Sequence, residues 1–197
     1  MKEMNPTKWS ENVVLVDADY VDRVAFDLTV NFERIIGRRI PKADMARWID
    51  CIALDGGIRE GENETQVVLL HNKNRQQLEN FAPGHYADQL DGQAFSDQLG
   101  EFSISAVTVE DLVTMEELFA DSLAIISNSA DVKRLMVVGN TEKYYDRIRE
   151  TLRHADDEKR ITVFAMQPLQ GGNFRQEILG YSLMNALGIR SEEIKTT

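Results

Sequence analysis

The chain has 197 residues, 43 % of them hydrophobic and 28 % charged, a balance that suits one globular domain with a substantial core. Its formal net charge of −11, from 33 acidic and 22 basic residues, predicts weak or no nucleic-acid binding, because phosphate contacts need clustered Lys and Arg. A single cysteine, Cys51, allows no internal disulfide, the N-terminus has no signal-like apolar region, and no stretch nears the ~20 apolar residues of a membrane span; together these predict a cytoplasmic protein without a membrane partner.

Residues 1–11 read as a loose lead-in, 12–190 as a single α/β domain, and 191–197 as a tail. The run from Asn12 to Tyr20, NVVLVDADY, sets the pattern. Val13 to Val16 are consecutive apolar residues that read as a strand buried on both faces, and they run into Asp17 and Asp19. Val21, Val24, Ala25, Leu28, Phe32, Ile35 and Ile36 then recur at helical steps until Gly37 stops the helix. Pro41 marks the start of a second helix carrying Met45, Trp48, Ile49, Ile52 and Ala53. Gln66 to Asn72 reads as a second strand.

Residues 73–101, rich in Gln, Asp and Gly, read as a small irregular helical insertion, with short helices at Asn74 to Phe81 and Gln93 to Leu99. Phe102 to Thr108 alternates as a third strand, and a long helix is expected from about Val109 to Ile126. Leu135 to Val138 is a fourth strand, followed by a helix with Tyr145, Ile148 and Leu152 on one face. Ile161 to Met166 is a fifth strand, and a last helix is expected from Gln176 to Leu187, with Asn173 and Gln176 at capping-box spacing. Strands alternating with helices imply a three-layered, Rossmann-like parallel sheet.

The string VVLVDADYV resembles the opening motif of haloacid-dehalogenase-like phosphatases, in which Asp17 would be the nucleophile and Asp19 the general acid. Ile125-Ile126-Ser127-Asn128 and Val138-Gly139-Asn140 resemble later motifs of that family. Only eleven residues separate Ser127 from Gly139, too few for the family's intervening helix and lysine motif. Over Val13 to Met166 the chain is more similar to the PIN/NYN group of nuclease-like domains. Asp17 or Asp19 takes the place of that group's first acid, and Glu110 or Asp111 in TVEDL takes the second. The stretch LMVVGNTEKY supplies the third, with Asn140 and Glu142 where the group has two Asp residues.

That resemblance implies five parallel strands in the order 3-2-1-4-5, with strands 1 and 4 adjacent at the switch point. It implies Asp17, Asp19, Asp111 and Glu142 as catalytic residues. Mg²⁺ or Mn²⁺ would be held by Asp17, Asp19, Glu110, Asp111, Asn140 and Glu142. Each residue also has a structural reading. Asp19 and Asn140 sit where helix N-caps belong, Glu110, Asp111 and Glu142 suit a helix dipole, and Asp17 needs a partner if buried.

His71 ends the second strand and stands near the expected crevice. Arg34, Arg38, Arg39 and Lys42 form the notable basic cluster. The C-terminal helix is apolar over a wide arc, which leaves a homodimer among its options, though its own sheet is the default partner. The acidic charge, Asn140 and the lack of a basic stripe favour a degenerate, non-catalytic interaction module. A divalent-metal-dependent ribonuclease is the alternative, and a dehalogenase-like phosphatase the second alternative.

Overall fold

The structure, a computed structural model, describes residues 8–194. Strand β1 (Asn12–Asp17) is buried along its whole length. Its side chains alternate between two cores: Val14 and Val16 enter one, Val13 and Leu15 the other. A strand with apolar partners on both faces needs an unbroken apolar run, the pattern of a central parallel strand. Strand β3 (Glu64–Asn72) follows the same rule, with Val67 and Leu69 on one face and Val68 and Leu70 on the other.

Helix α1 (Ala18–Ile36) follows β1 without a loop and ends at Gly37, whose φ of 71° is the left-handed conformation that suits glycine. Strand β2 (Ala43–Asp44) leads into α2 (Met45–Asp55), capped by the Asp44 side chain rather than started at Pro41. Beyond β3 come β4 (Phe81–Ala82), a π-helical turn at Tyr86–Leu90, and β5 (Ala94–Asp97), which pairs antiparallel with β6 (Gly100–Val109). Helix α3 (Met115–Ser127), β7 (Arg134–Val138), α4 (Thr141–Leu152), β8 (Arg160–Ala165), β9 (Arg175–Ile178), α5 (Leu179–Ala186) and α6 (Ser191–Ile194) complete the described chain.

The main sheet runs β5-β6-β3-β1-β7-β8-β9, parallel at every junction except β5–β6. Strands β2 and β4 pair separately as a short parallel ladder. Helices α1, α2 and α5 cover the face that buries Trp48, Phe81 and Leu183. Helices α3 and α4 cover the face that buries Phe119, Leu123 and Ile148. The protein is therefore a three-layered α/β domain.

Several sequence expectations need correction. The sheet has seven strands and is mixed, where five parallel strands in the order 3-2-1-4-5 were expected. Both added strands, AFSD in β5 and RQEI in β9, are polar edge segments without an apolar run to reveal them. Gln93 to Leu99 carries β5 rather than a helix, and within Asn74 to Phe81 no helix forms. Gln176 is in β9, so the last helix begins at Leu179, and its Oε1 accepts from the Leu169 amide instead of joining a capping box.

The expected lead-in 1–11 is docked where it is described. Trp9 is buried in the α3/α4-side core, and the Ser10 amide donates to Gln66 Oε1 at 2.7 Å; residues 1–7 lie outside the described residues. The expected tail 191–197 begins with α6, where Glu193 accepts from Arg38 at 2.9 Å, and residues 195–197 lie outside the description. No helix among the described residues is long and apolar enough to cross a membrane.

Candidate functional site at the carboxyl edge of the sheet

Strand β1 pairs with β3 on one side and β7 on the other, so Asp17, the turn after β3 and the turn after β7 share one edge of the sheet. Asp17 closes β1 and caps α1: its Oδ1 accepts the Tyr20 amide at 3.1 Å, and its Oδ2 accepts the Tyr144 hydroxyl at 2.6 Å. Asp17 is 3 % exposed, and burial raises its pKa above the usual carboxylate range against the opposing pull of these hydrogen bonds. Tyr144, nearly buried itself, is pushed up in turn by burial and by the charge of Asp17.

Tyr144 occupies the first turn of α4 with a non-helical φ/ψ of −137°/36°, and its ring lies 5.5 Å from that of Phe119. The face of α4 that packs inward runs Tyr144, Ile148, Leu152 in steps of four, rather than through Tyr145 as the sequence suggested. Gly139, just before this turn, leaves room for the contact. A Cβ there would lie 2.8 Å from Phe119 Cζ and 2.9 Å from Ile148 Cδ1.

The remaining candidates divide into two groups. Asp19, in the first turn of α1, does not cap that helix. Its Oδ2 accepts from the Asn72 amide at 3.0 Å and from the Asn72 side chain, while its Oδ1 is buried without a hydrogen-bond partner. Glu142 accepts the Tyr20 hydroxyl at 2.6 Å and lies 3.9 Å from the Arg23 guanidinium. Asn140 serves as the N-cap of α4 through a 3.1 Å bond from the Lys143 amide. Asp17, Asp19, Asn140 and Glu142 thus line the ends of β1 and β7.

Glu110 and Asp111 do not join them at the start of the long helix. Strand β6 persists to Val109 and α3 starts only at Met115 behind the Thr114 cap, so both acids fall in an exposed loop, where Asp111 pairs with Lys73. Among the described residues, no group of three or more His, Cys, Asp or Glu side chains is arranged to hold a metal ion. The six expected ligands therefore do not form the expected cluster: tyrosine hydroxyls, amides and Lys73 hold the carboxylates at separate points.

Sequence reasoning missed the residues that organise this edge. Tyr20 and Tyr144 stand three and four positions after the helix N-caps Asp17 and Asn140, in first helical turns, and that spacing is the signal that would have found them. Glu116, in the first turn of α3, is close enough to Tyr144 to raise its pKa. Asp22, buried on α1, accepts from the Glu79 amide at 3.0 Å and the Asn80 amide at 2.8 Å, so it ties the 73–101 insertion to the core. Nothing in the sequence marks that partner, since the bond spans 57 positions.

A family model spans residues 6–194, nearly the whole fold including the insertion. The chain belongs to the family of unknown function DUF6621. No curated protein and no solved structure matches it. In this family member the carboxyl edge of the sheet brings together Asp17, Tyr20, Tyr144 and Glu142.

Proposed function

We propose that this α/β domain is a PIN/NYN-like interaction module whose acidic site is non-catalytic. The observation that carries the reading is the Asp17 carboxylate, with both oxygens bonded to protein donors, one of them the Tyr144 hydroxyl. A nuclease of that type needs its first carboxylate to face a cation together with other acids. Here Tyr144 takes the position beside Asp17, Asn140 is spent as a helix cap, and Asp111 is drawn off by Lys73. The acidic balance of the chain adds to the argument, because an RNA backbone would meet net repulsion.

One observation favours the second reading, a Mg²⁺- or Mn²⁺-dependent ribonuclease: Asp19 Oδ1 is buried without a partner at the same edge. Both readings meet in one experiment. The protein is incubated with single-stranded RNA in millimolar Mn²⁺ or Mg²⁺, and its melting temperature is recorded with and without metal. The expected result is no cleavage and no metal-dependent rise. RNA cleavage that disappears in Asp17→Asn overturns the module and establishes the ribonuclease.

A further inference from the structure

The chain carries 33 acidic and 22 basic residues, yet one hollow in it is lined by His71, Lys73, Arg75 and His85. It opens where β3 and β6 end, beneath the insertion, with a volume of about 300 Å³, the lower end of the range for small-molecule pockets. Two stacked rings form part of its wall: the buried His71 ring lies on Tyr86 with centroids 3.7 Å apart and planes 7° from parallel. Thr108 of β6 adds a hydroxyl to the lining. We infer that this pocket binds a small phosphate-bearing anion, anchored by Arg75.

The donor inventory supports that ligand class. Arg75 lines the pocket, acts electrostatically on Tyr86, and among the described residues is held in no ion pair. His85 Nδ1 accepts the Asp88 amide at 3.2 Å, which places the imidazole proton on Nε2 as a donor. His71 Nδ1 lies 3.0 Å from the carbonyls of Asn72 and Arg75 and therefore carries a proton. Asp19, Asp22 and Asp17 lie close enough to raise the pKa of Tyr86, and each has at least one carboxylate oxygen held by a backbone amide, while Asp91 lies in the lining itself. Asp91 accepts the Ala106 amide at 2.9 Å, Asp111 pairs with Lys73, and Asp88 is 81 % exposed, 3.5 Å from His85.

An anion with several terminal oxygens can take the Arg75 fork, the His85 donor and the Thr108 hydroxyl together. A guanidinium matches two phosphate oxygens bidentately and leaves further terminal oxygens, out of that plane, for the other donors, whereas a planar carboxylate must share its two oxygens among all of them. Lys73 at the rim can exchange Asp111 for such a ligand. The pocket does not use the Asp17 edge, so its occupancy is independent of whether that edge is catalytic.

The test titrates the full chain with inorganic phosphate and with adenosine 5′-monophosphate, followed by calorimetry and by the imidazole NMR signals of His71 and His85. Saturable binding of either probe that moves both imidazole signals is expected. Arg75→Gln should weaken it roughly tenfold or more with an unchanged melting temperature, and the exposed Lys73→Gln should weaken it by a smaller factor. Tighter binding of the nucleotide assigns a phosphomonoester, and tighter binding of phosphate assigns the free ion. No saturation by either probe at millimolar concentration, binding that survives Arg75→Gln, or equal binding of succinate overturns the assignment.

Discussion

The Tyr144 hydroxyl donates to Asp17 Oδ2 across 2.6 Å, joining residues 127 positions apart at the junction of β1 and α4. Both groups are almost fully enclosed, and each has its pKa raised by burial. A buried carboxyl with two donors is stable only while both remain. The junction therefore fastens the first turn of α4 to the central strand.

Tyr144→Phe removes one donor and leaves the Asp17 carboxylate under-satisfied. The expected loss is about 1–3 kcal/mol of stability, read from urea unfolding. Since the Tyr144 bond holds the Asp17 pKa down against burial, its loss moves that pKa further up. A carboxyl-carbon NMR titration of Asp17 in the two proteins checks the direction.

Asp50, on α2, makes stability depend on pH. Burial, together with the neighbouring Asp97 carboxyl, raises its pKa from 3.8 to about 7. The folded protein thus binds a proton that the unfolded chain releases at lower pH. The stabilisation is complete below about pH 3.8 and is lost as pH rises through about 7. Asp50→Asn keeps the size of the side chain and removes the proton linkage. The stability difference between wild type and variant, followed from acid to mildly alkaline pH, is expected to shift steadily in favour of the variant.

Asp22→Ala cuts the anchor of the insertion. Two donors lose their acceptor, the amides of Glu79 and Asn80, and the Asn80 side chain keeps only the Asp22 backbone carbonyl. A cost of about 2–4 kcal/mol is expected, given the strength of hydrogen bonds to a charged acceptor and their non-additivity. Limited proteolysis should move into residues 73–92, and cleavage unchanged from wild type would count against the anchor.

Gly139→Ala probes the packing behind the Tyr144 turn. The added methyl would sit 2.8 Å from Phe119 Cζ, so the Phe119 ring must shift away from its tilted contact with Tyr144. Overpacking of this kind costs about 1–3 kcal/mol. The melting temperature reports the loss, and near-ultraviolet circular dichroism reports the disturbed aromatic pair.

The central strands were legible in the sequence because burial on both faces demands continuous apolar runs. Val13 to Val16, Val67 to Leu70 and Leu135 to Val138 can hardly be anything else. Edge strands carry no such demand. The stretch 93–99 has Phe95 and Leu99 at helical spacing, and Ala94–Asp97 within it becomes a strand because β6 offers it a hydrogen-bonding edge. Arg175–Ile178 does the same against β8, which shortens the last helix.

The candidate site divides along the same line. Local sequence was enough to put Asp17, Asp19, Asn140 and Glu142 at strand ends, where helices begin. It could not say what each carboxylate touches, because a hydrogen bond 3 Å long can join residues that no local pattern connects. Tertiary packing gave Asp17 to Tyr144, Glu142 to Tyr20 and Asp111 to Lys73, and it closed the insertion over His71 and Arg75. Residue type and spacing determined the layers of this protein. Which polar groups lost water together, and so had to satisfy one another, was decided only when those layers came into contact.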